Sequence, residues 1–147
     1  MKYIFITSPK TWMKLVNDSM SSWPIKARYT SSIKKNIKEN DEILIYLTGK
    51  SAFAGIIKVA DKLQTRATTL MYSGDFYDCT LPVEFSVVLG NDKLIFLRSF
   101  TSELELTRDK GSKWGGTFQR GVIGISEADF MNIRDKIYIA AKALNID

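Results

Sequence analysis

Few side chains in this chain of 147 residues have the type and spacing that nucleophilic catalysis requires. The chain has no histidine, which is the commonest general base and metal ligand in proteins. A hydrolytic site would therefore need a serine or threonine activated by lysine, and Lys50 near Thr48 is the candidate pair. The single cysteine, Cys79, has no histidine to activate it, so we expect it to be a small buried or half-buried residue. The sequence thus favours a protein that is not an enzyme.

One short segment resembles a phosphate-binding P-loop but lacks two of its parts. Residues 48–51 read Thr-Gly-Lys-Ser, as at the end of that motif. The motif also needs a glycine five positions before Gly49, where this chain has Leu44, and a helix after the loop. Residues 53–59 are instead typical of a strand. We therefore predict a hairpin turn here and no bound nucleotide triphosphate.

Metal-binding patterns are equally weak. Asp75 with Asp78, and Glu103 with Glu105, are paired carboxylates that could in principle bind magnesium, but neither pair has a third ligand nearby in sequence. One cysteine cannot form a thiolate cluster or an internal disulfide. We expect solvated carboxylates and predict neither a metal ion nor a cofactor.

Tryptophan and basic side chains form the remaining pattern. Trp23 precedes a proline and a basic segment, and Trp114 lies in a glycine-rich segment between Lys113 and Arg120. Aromatic faces stack on nucleobases for about 1–3 kcal/mol each, while lysine and arginine hold phosphates. The net charge of +5 and the pI near 9.3 agree with a polyanionic partner. Both tryptophans could equally cover the ends of a small barrel, and the residues alone leave the two interpretations open.

The hydrophobic pattern predicts an α+β fold in one domain over residues 1–147, with a curled, mostly antiparallel sheet. We expect strands over residues 2–7, 42–48, 52–59, 81–89 and 117–125, and helices that begin at Ser8, at Thr30 or Ser31, and at Ser126. The first helix should carry Trp12 on its buried face and end at Trp23-Pro24. We expect residues 61–79 to be irregular and residues 109–116 to form a loop. The last helix should bury Phe130, Ile133, Ile137, Ala140, Ala141 and Leu144.

Nothing in the sequence resembles a secretory signal or a membrane span. The apolar run at residues 1–6 breaks at Thr7-Ser8-Pro9, and no run approaches the roughly 18 apolar residues that a span needs. We therefore expect an intracellular, cytoplasmic protein that is soluble and monomeric.

An ordered series of motifs resembles the EVE domain family. Residues 3–12 are similar to its aromatic strand followed by Thr-Ser-Pro-x-x-Trp, and Trp23-Pro24 and Arg28-Tyr29 come next. Residues 38–46 are similar to its Lys-x-Gly-Asp turn into a strand that ends in tyrosine, with Asn40 replacing the usual glycine. The series ends with Thr48-Gly49, residues 53–56, Lys113-Trp114 and the helix after Ile125. It covers most of the chain, whereas residues 60–80 find no match.

EVE domains belong to the PUA-like superfamily and resemble YTH domains, which read methylated adenine in RNA. The resemblance implies a PUA-like curled β-barrel with helices around it, and a pocket for a flipped-out, modified base of DNA or RNA. It implies an aromatic pocket formed by Thr7, Ser8, Trp23, Tyr46, Thr48, Phe53 and Trp114. The phosphate-binding set would be Lys26, Arg28, Lys34, Lys35, Lys113 and Arg120.

Two other functions stay open beside this nucleic-acid-binding module. An enzyme of the related ASCH type, acting on nucleosides, would use Lys50 with Thr48. A protein-interaction scaffold would bury Trp23 and Trp114 against a partner. The sequence does not distinguish DNA from RNA, or one modified base from another.

Overall fold

The computed structural model of the chain describes residues 2–18, 21–72 and 75–143. It confirms an α+β fold: a curled, mixed sheet forms a half-barrel with helices packed around it. The strands are β1 (Lys2–Thr7), β2 (Ser22–Ile25), β3 (Glu42–Leu47), β4 (Ala52–Val59), β5 (Gln64–Tyr72), β6 (Asp75–Val88), β7 (Ile95–Phe96) and β8 (Val122–Ile125). The α-helices are α1 (Pro9–Asn17), α2 (Ala27–Asn36) and α3 (Glu127–Ala143). Among the described residues, no helix is long and apolar enough to cross a membrane.

The main sheet has the strand order β2-β6-β4-β3-β1-β8, so that β2 and β8 are its outermost strands. β1 pairs with β3 in parallel, and the other pairs are antiparallel. Outside this path, β5 pairs with β6 and β7 pairs with β4. The sheet is therefore mostly antiparallel, as predicted, and its two ends lie at β2 and β8.

Two register shifts help to curl the sheet. One lies in the β3–β4 pair at Ile45/Tyr46, and the other lies in the β4–β6 pair at Ile56/Ile57. An extra residue on one strand bends it and increases its twist. Between the two shifts, a Cβ on Gly55 would lie 2.2 Å from the Val87 carbonyl oxygen, so only glycine allows this close approach. Trp12 of α1 packs at this point: its Cζ2 would lie 3.2 Å from that Cβ, and its ring lies 5.7 Å from the Phe85 ring between centroids.

The prediction for the start of α1 is confirmed, and the prediction for its end is wrong. Ser8 Oγ accepts a hydrogen bond from the Thr11 backbone N–H at 3.1 Å, as an N-cap does. Trp12 is buried, as expected, but the helix ends at Asn17. Trp23 instead lies within β2, opposite Leu81 of β6. A proline is tolerated directly after it because β2 is an outermost strand, whose outer N–H groups need no partner.

The prediction of an irregular segment at residues 61–79 is also wrong, because β5 and the first part of β6 form a long hairpin there. Residues 64–72 contain three threonines, and β-branched residues fit a strand even when no apolar alternation marks it. The polar composition concealed this strand. Side chains between residues 65 and 78, including Asp75 and Asp78, lie outside the described part of the chain.

Segments around residues 27 and 111–125 differ from the predictions in their boundaries. α2 begins at Ala27, before the predicted start at Thr30 or Ser31. The predicted glycine-rich loop is instead a 3₁₀ helix, Gly111–Phe118, and the predicted strand at residues 117–125 is reduced to β8. Phe118 is buried and stacks on Tyr46 at 4.4 Å between ring centroids. This core contact anchors the end of the segment, which accounts for an ordered turn where glycines suggested a loop.

The turns that flank β3 confirm two predictions. Asn40 has a φ of 74°, in the left-handed region that asparagine tolerates better than most residues, so it can replace a glycine. The β3–β4 connection contains Gly49 with a φ of 79°, and β4 follows as a strand and not as a helix. Residues 48–51 therefore form a hairpin turn and not a P-loop.

α3 is attached to the sheet through its apolar face and through charged contacts. Phe130, Ile133 and Ile137 are buried as predicted, whereas Leu144 lies outside the described residues. Ser126 Oγ accepts a hydrogen bond from the Asp129 backbone N–H at 3.1 Å. The buried Asp129 carboxylate in turn accepts hydrogen bonds from two backbone N–H groups, Glu105 at 2.9 Å and Leu106 at 3.0 Å. Asp129 thus fixes the segment that leads into the 3₁₀ helix.

Candidate functional site

A recess of about 350 Å³ is lined by residues of both outermost strands, β2 and β8. We call it the seam recess. β1 and β2 contribute to it, as do the start of α2, the turn after β3 and the segment before β8. Its lining residues are Ile6, Thr7, Ser8, Thr11, Trp23, Pro24, Ile25, Lys26, Arg28, Tyr29, Thr48, Gln119, Arg120, Gly121 and Val122. Its volume lies in the range of about 300–1,000 Å³ that small-molecule pockets occupy.

The two sides of the seam recess are joined through Gly121. Its backbone N–H donates a hydrogen bond to the Tyr29 hydroxyl of α2 at 2.9 Å. Its carbonyl accepts one from the Ile6 backbone N–H of β1, also at 2.9 Å. A Cβ at position 121 would lie 3.0 Å from Tyr29 Cε2, so a larger residue would press on the tyrosine ring. This contact fixes the distance between α2 and the segment that carries Arg120.

Trp23 forms an apolar wall that is supported from behind. Its side chain is only 5% exposed. Its ring packs against Phe5 at 5.8 Å and against Trp12 at 6.0 Å between centroids, both in tilted arrangements. Both supporting rings belong to the hydrophobic core. The wall is therefore already held in place before any ligand arrives.

Five residues that carry a hydroxyl group line the same recess: Thr7, Ser8, Thr11, Tyr29 and Thr48. Ser8 Oγ donates a hydrogen bond to Thr11 Oγ1 at 3.0 Å. Thr48 Oγ1 donates to the Thr7 carbonyl at 3.4 Å, a long hydrogen bond. A hydroxyl carries one donor and two acceptor positions, so these groups can bind a ligand beside their present partners. The recess thus combines an apolar wall with neutral hydrogen-bonding groups.

The charges around the seam recess have one sign. Lys26, Arg28 and Arg120 line it, and none of the described residues that line it is acidic. The Arg28 guanidinium lies 5.1 Å from the centre of the Tyr29 ring. Such a set attracts anionic groups, because the described residues that line the recess add no carboxylate to its positive potential. Within the described residues, no group of three or more His, Cys, Asp or Glu side chains could hold a metal ion.

The structure brings together about half of the residues that the sequence suggested for the site. Those in the seam recess are Thr7, Ser8, Trp23, Thr48, Lys26, Arg28 and Arg120. Tyr46 and Phe53 do not line it, because their rings pack on each other and on Phe118 in the core. Burial raises the pKa of the Tyr46 hydroxyl, and a hydrogen bond with Ser51 opposes this shift.

The other suggested residues lie elsewhere on the surface. Trp114 is half-buried and packs edge-on against Phe118, with 6.4 Å between ring centroids, and does not line the seam recess. Lys34 and Lys35 are exposed in the last turn of α2. Lys113 lines a second recess, which shares Arg120 with the first. Lys50, suggested for an enzyme, is exposed and does not line the seam recess.

Sequence reasoning did not assign eight of the residues that line the seam recess to the site. They are Ile6, Thr11, Pro24, Ile25, Tyr29, Gln119, Gly121 and Val122. Tyr29 is the most informative, because it supplies a second aromatic ring and closes the seam through Gly121. The Arg28-Tyr29 pair was part of the ordered motif series, but nothing in its spacing indicated a contact with a residue 92 positions away.

The EVE domain family model matches residues 2–136 of the chain. None of the curated proteins compared with the chain matches it. Among solved structures, the fold is similar to the YTH domain-containing protein mmi1 in complex with RNA, at 12% identity and a TM-score of 0.64, covering 98% of this chain and 87% of that one.

Two further structures have the same fold. The YTH domain of the Zygosaccharomyces rouxii MRB1 protein, in complex with N6-methyladenosine RNA, matches at 15% identity and a TM-score of 0.58, covering 93% of this chain and 88% of that one. A structural-genomics target from Pseudomonas syringae matches at 13% identity and a TM-score of 0.62, covering 92% and 98%. At such identities, these likenesses concern the fold.

Proposed function

The chain belongs to the EVE domain family, and from this premise we propose that it is a non-catalytic nucleic-acid-binding module that takes a flipped-out, modified base into the seam recess. The observation that carries the proposal is the recess itself: Trp23 forms a fixed apolar wall, hydroxyl groups lie nearby, and the lining charges are all positive. A nucleotide needs these three features, because it has an apolar face, a hydrogen-bonding edge and an anionic phosphate.

The base would lie against Trp23 and the apolar lining around it. Removing a base from its stack costs a few kcal/mol, less when it is unpaired, and contact with aromatic rings offsets this cost. Because Phe5 and Trp12 already hold Trp23, little side-chain entropy is lost on binding. A pre-formed wall therefore favours binding of a flat ligand.

The base edge would be read by Ser8, Thr11 and Thr48. Their hydroxyls can donate or accept, so they adapt to amino and carbonyl groups. A methyl group in an apolar pocket adds only about 1–3 kcal/mol of discrimination. Strong selectivity for a modified base therefore requires that the unmodified base leave one of these polar groups without a partner.

Phosphates would be bound by Lys26, Arg28 and Arg120 on the rim, with Lys34, Lys35 and Lys113 extending the basic surface. Each neutralised phosphate releases counterions, so the affinity should fall as salt rises. The recess has no carboxylate or imidazole among its described lining residues to serve as a general base, and this supports a binding role over catalysis.

RNA that carries N6-methyladenine is the first ligand to test, because YTH domains of the same fold are known in complex with it. The experiment is calorimetric titration at low salt with four short single strands: RNA and DNA, each with adenine or N6-methyladenine at one position. We expect the modified strands to bind more tightly than their unmodified partners. Thr48→Val, which keeps the shape and removes the hydroxyl, should reduce that difference.

The control variant is Lys142→Ala, which removes an exposed cation of α3 that does not line the seam recess. Its affinities should equal those of the unaltered protein. If neither RNA nor DNA binds at low salt, with any of several modified bases, the proposal is rejected.

A further inference from the structure

A second recess adjoins the seam recess along β8. We call it the edge recess. It has a volume of about 600 Å³, and its lining residues are Leu106, Lys110, Lys113, Gly116, Thr117, Arg120, Val122, Ile123 and Gly124. We propose that it binds the neighbouring nucleotide of the same strand, so that the protein holds two consecutive nucleotides. The inference rests on the proposed function of the seam recess, because it requires that the first nucleotide be bound there.

Charge is the first argument. Lys110, Lys113 and Arg120 line the edge recess, and the described residues that line it include no acidic side chain. Lys110 Nζ donates a hydrogen bond to Thr117 Oγ1 at 2.7 Å, so this ammonium group is already placed at the recess. Lysine side chains lose rotamer entropy when they are fixed. A lysine that is partly fixed before binding loses less of it when a phosphate arrives.

Apolar lining is the second argument. Leu106, Val122 and Ile123 contribute apolar side chains beside the three cations. All three side chains are half-buried against the hydrophobic core, so the surface they leave open is fixed. An inorganic anion would gain nothing from such a surface, whereas a sugar or a base would bury it. The combination favours a nucleotide over free phosphate.

The backbone of β8 is the third argument. β8 is the outermost strand of the sheet and pairs with β1 on one side. Within the described residues, no strand pairs with its other side. The outer side of an outermost strand presents N–H and C=O groups that can form hydrogen bonds with a ligand. Such groups can bind a ribose hydroxyl or the edge of a base.

Arg120 connects the two recesses. It lines both of them, together with Val122. The adjacent Gly121 is held on both sides by hydrogen bonds to Tyr29 and Ile6, which fixes the backbone next to this arginine. A phosphate that links two nucleosides would lie between the recesses. Arg120 is therefore placed to bind the linking phosphate, with one nucleoside on each side.

The test is a ligand series titrated into the full chain by calorimetry. The series contains N6-methyladenosine, its 5′- and 3′-monophosphates, and two dinucleotides with N6-methyladenine in first or second place. We expect one dinucleotide to bind about tenfold more tightly than the nucleoside, which corresponds to about 1.4 kcal/mol. The monophosphate whose phosphate is on the same side of the nucleoside as in that dinucleotide should give only part of this gain in affinity.

The variant that tests the site is Lys110→Ala/Lys113→Ala, and the control is Lys62→Ala/Lys142→Ala. Both change two exposed lysines, and those of the control line neither recess. In the first variant, the nucleoside should bind as before and the dinucleotide gain should fall to about twofold or less. The control should keep the full gain.

Each other outcome rejects the edge recess as a nucleotide site. If the nucleoside binds and neither dinucleotide binds more tightly, or if the gain survives in the lysine variant, the inference fails while the proposed function stands. If an acidic peptide binds in a lysine-dependent way and the dinucleotides give no gain, the recess serves a protein partner. If no nucleoside, nucleotide or longer oligonucleotide binds, both proposals fail together.

Discussion

Charged side chains are arranged differently at the seam recess and on a second region, the α3 face. We define the α3 face by Asp129, by Glu42 and Glu103, and by the α3 residues that bind these two glutamates. There, Arg134 donates to Glu42 at 2.8 Å and Lys136 donates to Glu103 at 2.9 Å. At the seam recess, Lys26, Arg28 and Arg120 lie without a carboxylate among the described lining residues. On the α3 face two cations are bound to carboxylates, whereas the lining of the seam recess brings three cations together and includes no described carboxylate.

This difference separates residues that hold the fold from residues that bind a ligand. Grouping like charges weakens the folded state slightly through repulsion, so a protein gains nothing by it unless an anion binds. Paired charges, by contrast, contribute to the attachment of α3. Changes on the α3 face should therefore alter the free energy of unfolding, whereas changes at the seam recess should alter affinity.

The largest expected effect concerns Asp129. Asp129→Ala leaves the backbone N–H groups of Glu105 and Leu106 without their carboxylate. Hydrogen bonds to charged groups contribute about 1.5–3 kcal/mol each, so the free energy of unfolding should fall by about 3 kcal/mol in urea denaturation. Nucleoside affinity, measured where the variant is folded, should stay within about twofold. A large loss of affinity would show that the two regions are not separate.

A smaller effect is expected when cations are removed from the seam recess. Arg28→Ala and Arg120→Ala should each weaken binding of an oligonucleotide several-fold at low salt, about 1 kcal/mol, because each removes a phosphate contact. The slope of log K against log salt should decrease by about 0.7 per variant for a single strand. The free energy of unfolding should change by less than about 0.5 kcal/mol. An unchanged salt slope would contradict a phosphate-binding role.

Tyr29 lines the seam recess and also holds the fold there, because its hydroxyl joins α2 to the segment before β8. Tyr29→Phe keeps the ring and removes the hydroxyl that accepts from Gly121. We expect a loss of about 1 kcal/mol in unfolding free energy and faster hydrogen exchange at the Gly121 amide, measured by NMR. Gly121→Ala presses on the same ring and serves as a second variant. If exchange at Gly121 is unaltered in Tyr29→Phe, the hydrogen bond does not close the seam.

The smallest expected effect is a pH dependence of the free energy of unfolding that arises on the α3 face. Burial, followed by its hydrogen bond to Glu42, raises the pKa of the Tyr138 hydroxyl. A group whose pKa is raised in the folded state stabilises the protein fully at pH values below its unfolded-state pKa, which is near 10 for tyrosine. This stabilisation is lost as the pH rises through the folded-state pKa. The free energy of unfolding should therefore decline in this alkaline range. Tyr138→Phe should reduce the decline, and an equal decline in that variant would exclude Tyr138 as its source.

Much of the fold could be predicted from local patterns. The start of α1 followed from Ser8 and Pro9, the turn at Asn40 from its tolerance of left-handed geometry, and the buried face of α3 from its 3.6-residue period. Each of these depends on residues that are close in sequence. β5 was not predicted, because it has no apolar alternation of its own and is defined by its pairing with β6.

The site was harder to predict because its residues meet only through the curled sheet. Trp23 was expected at the end of a helix, but it lies in β2, and its contact with Trp12 depends on the packing of α1 against the sheet. Tyr46 and Phe53 were expected near the base, but the β3–β4 bulge and Phe118 place both rings in the core. The sequence indicates which residues are aromatic or basic, but it does not indicate whether their side chains face the core of the curled sheet or the recess.

The contact between Trp12 and Trp23 also has an optical consequence. Two indoles with ring centroids 6.0 Å apart exchange excitation energy efficiently, whereas Trp114 packs against Phe118 in another part of the molecule. A molecule that quenches Trp23 at the recess would therefore reduce the emission of Trp12 as well, although Trp12 does not line the recess. Ligand binding at the recess should therefore change the fluorescence of two tryptophans, Trp12 and Trp23, while the fluorescence of Trp114 serves as an internal reference.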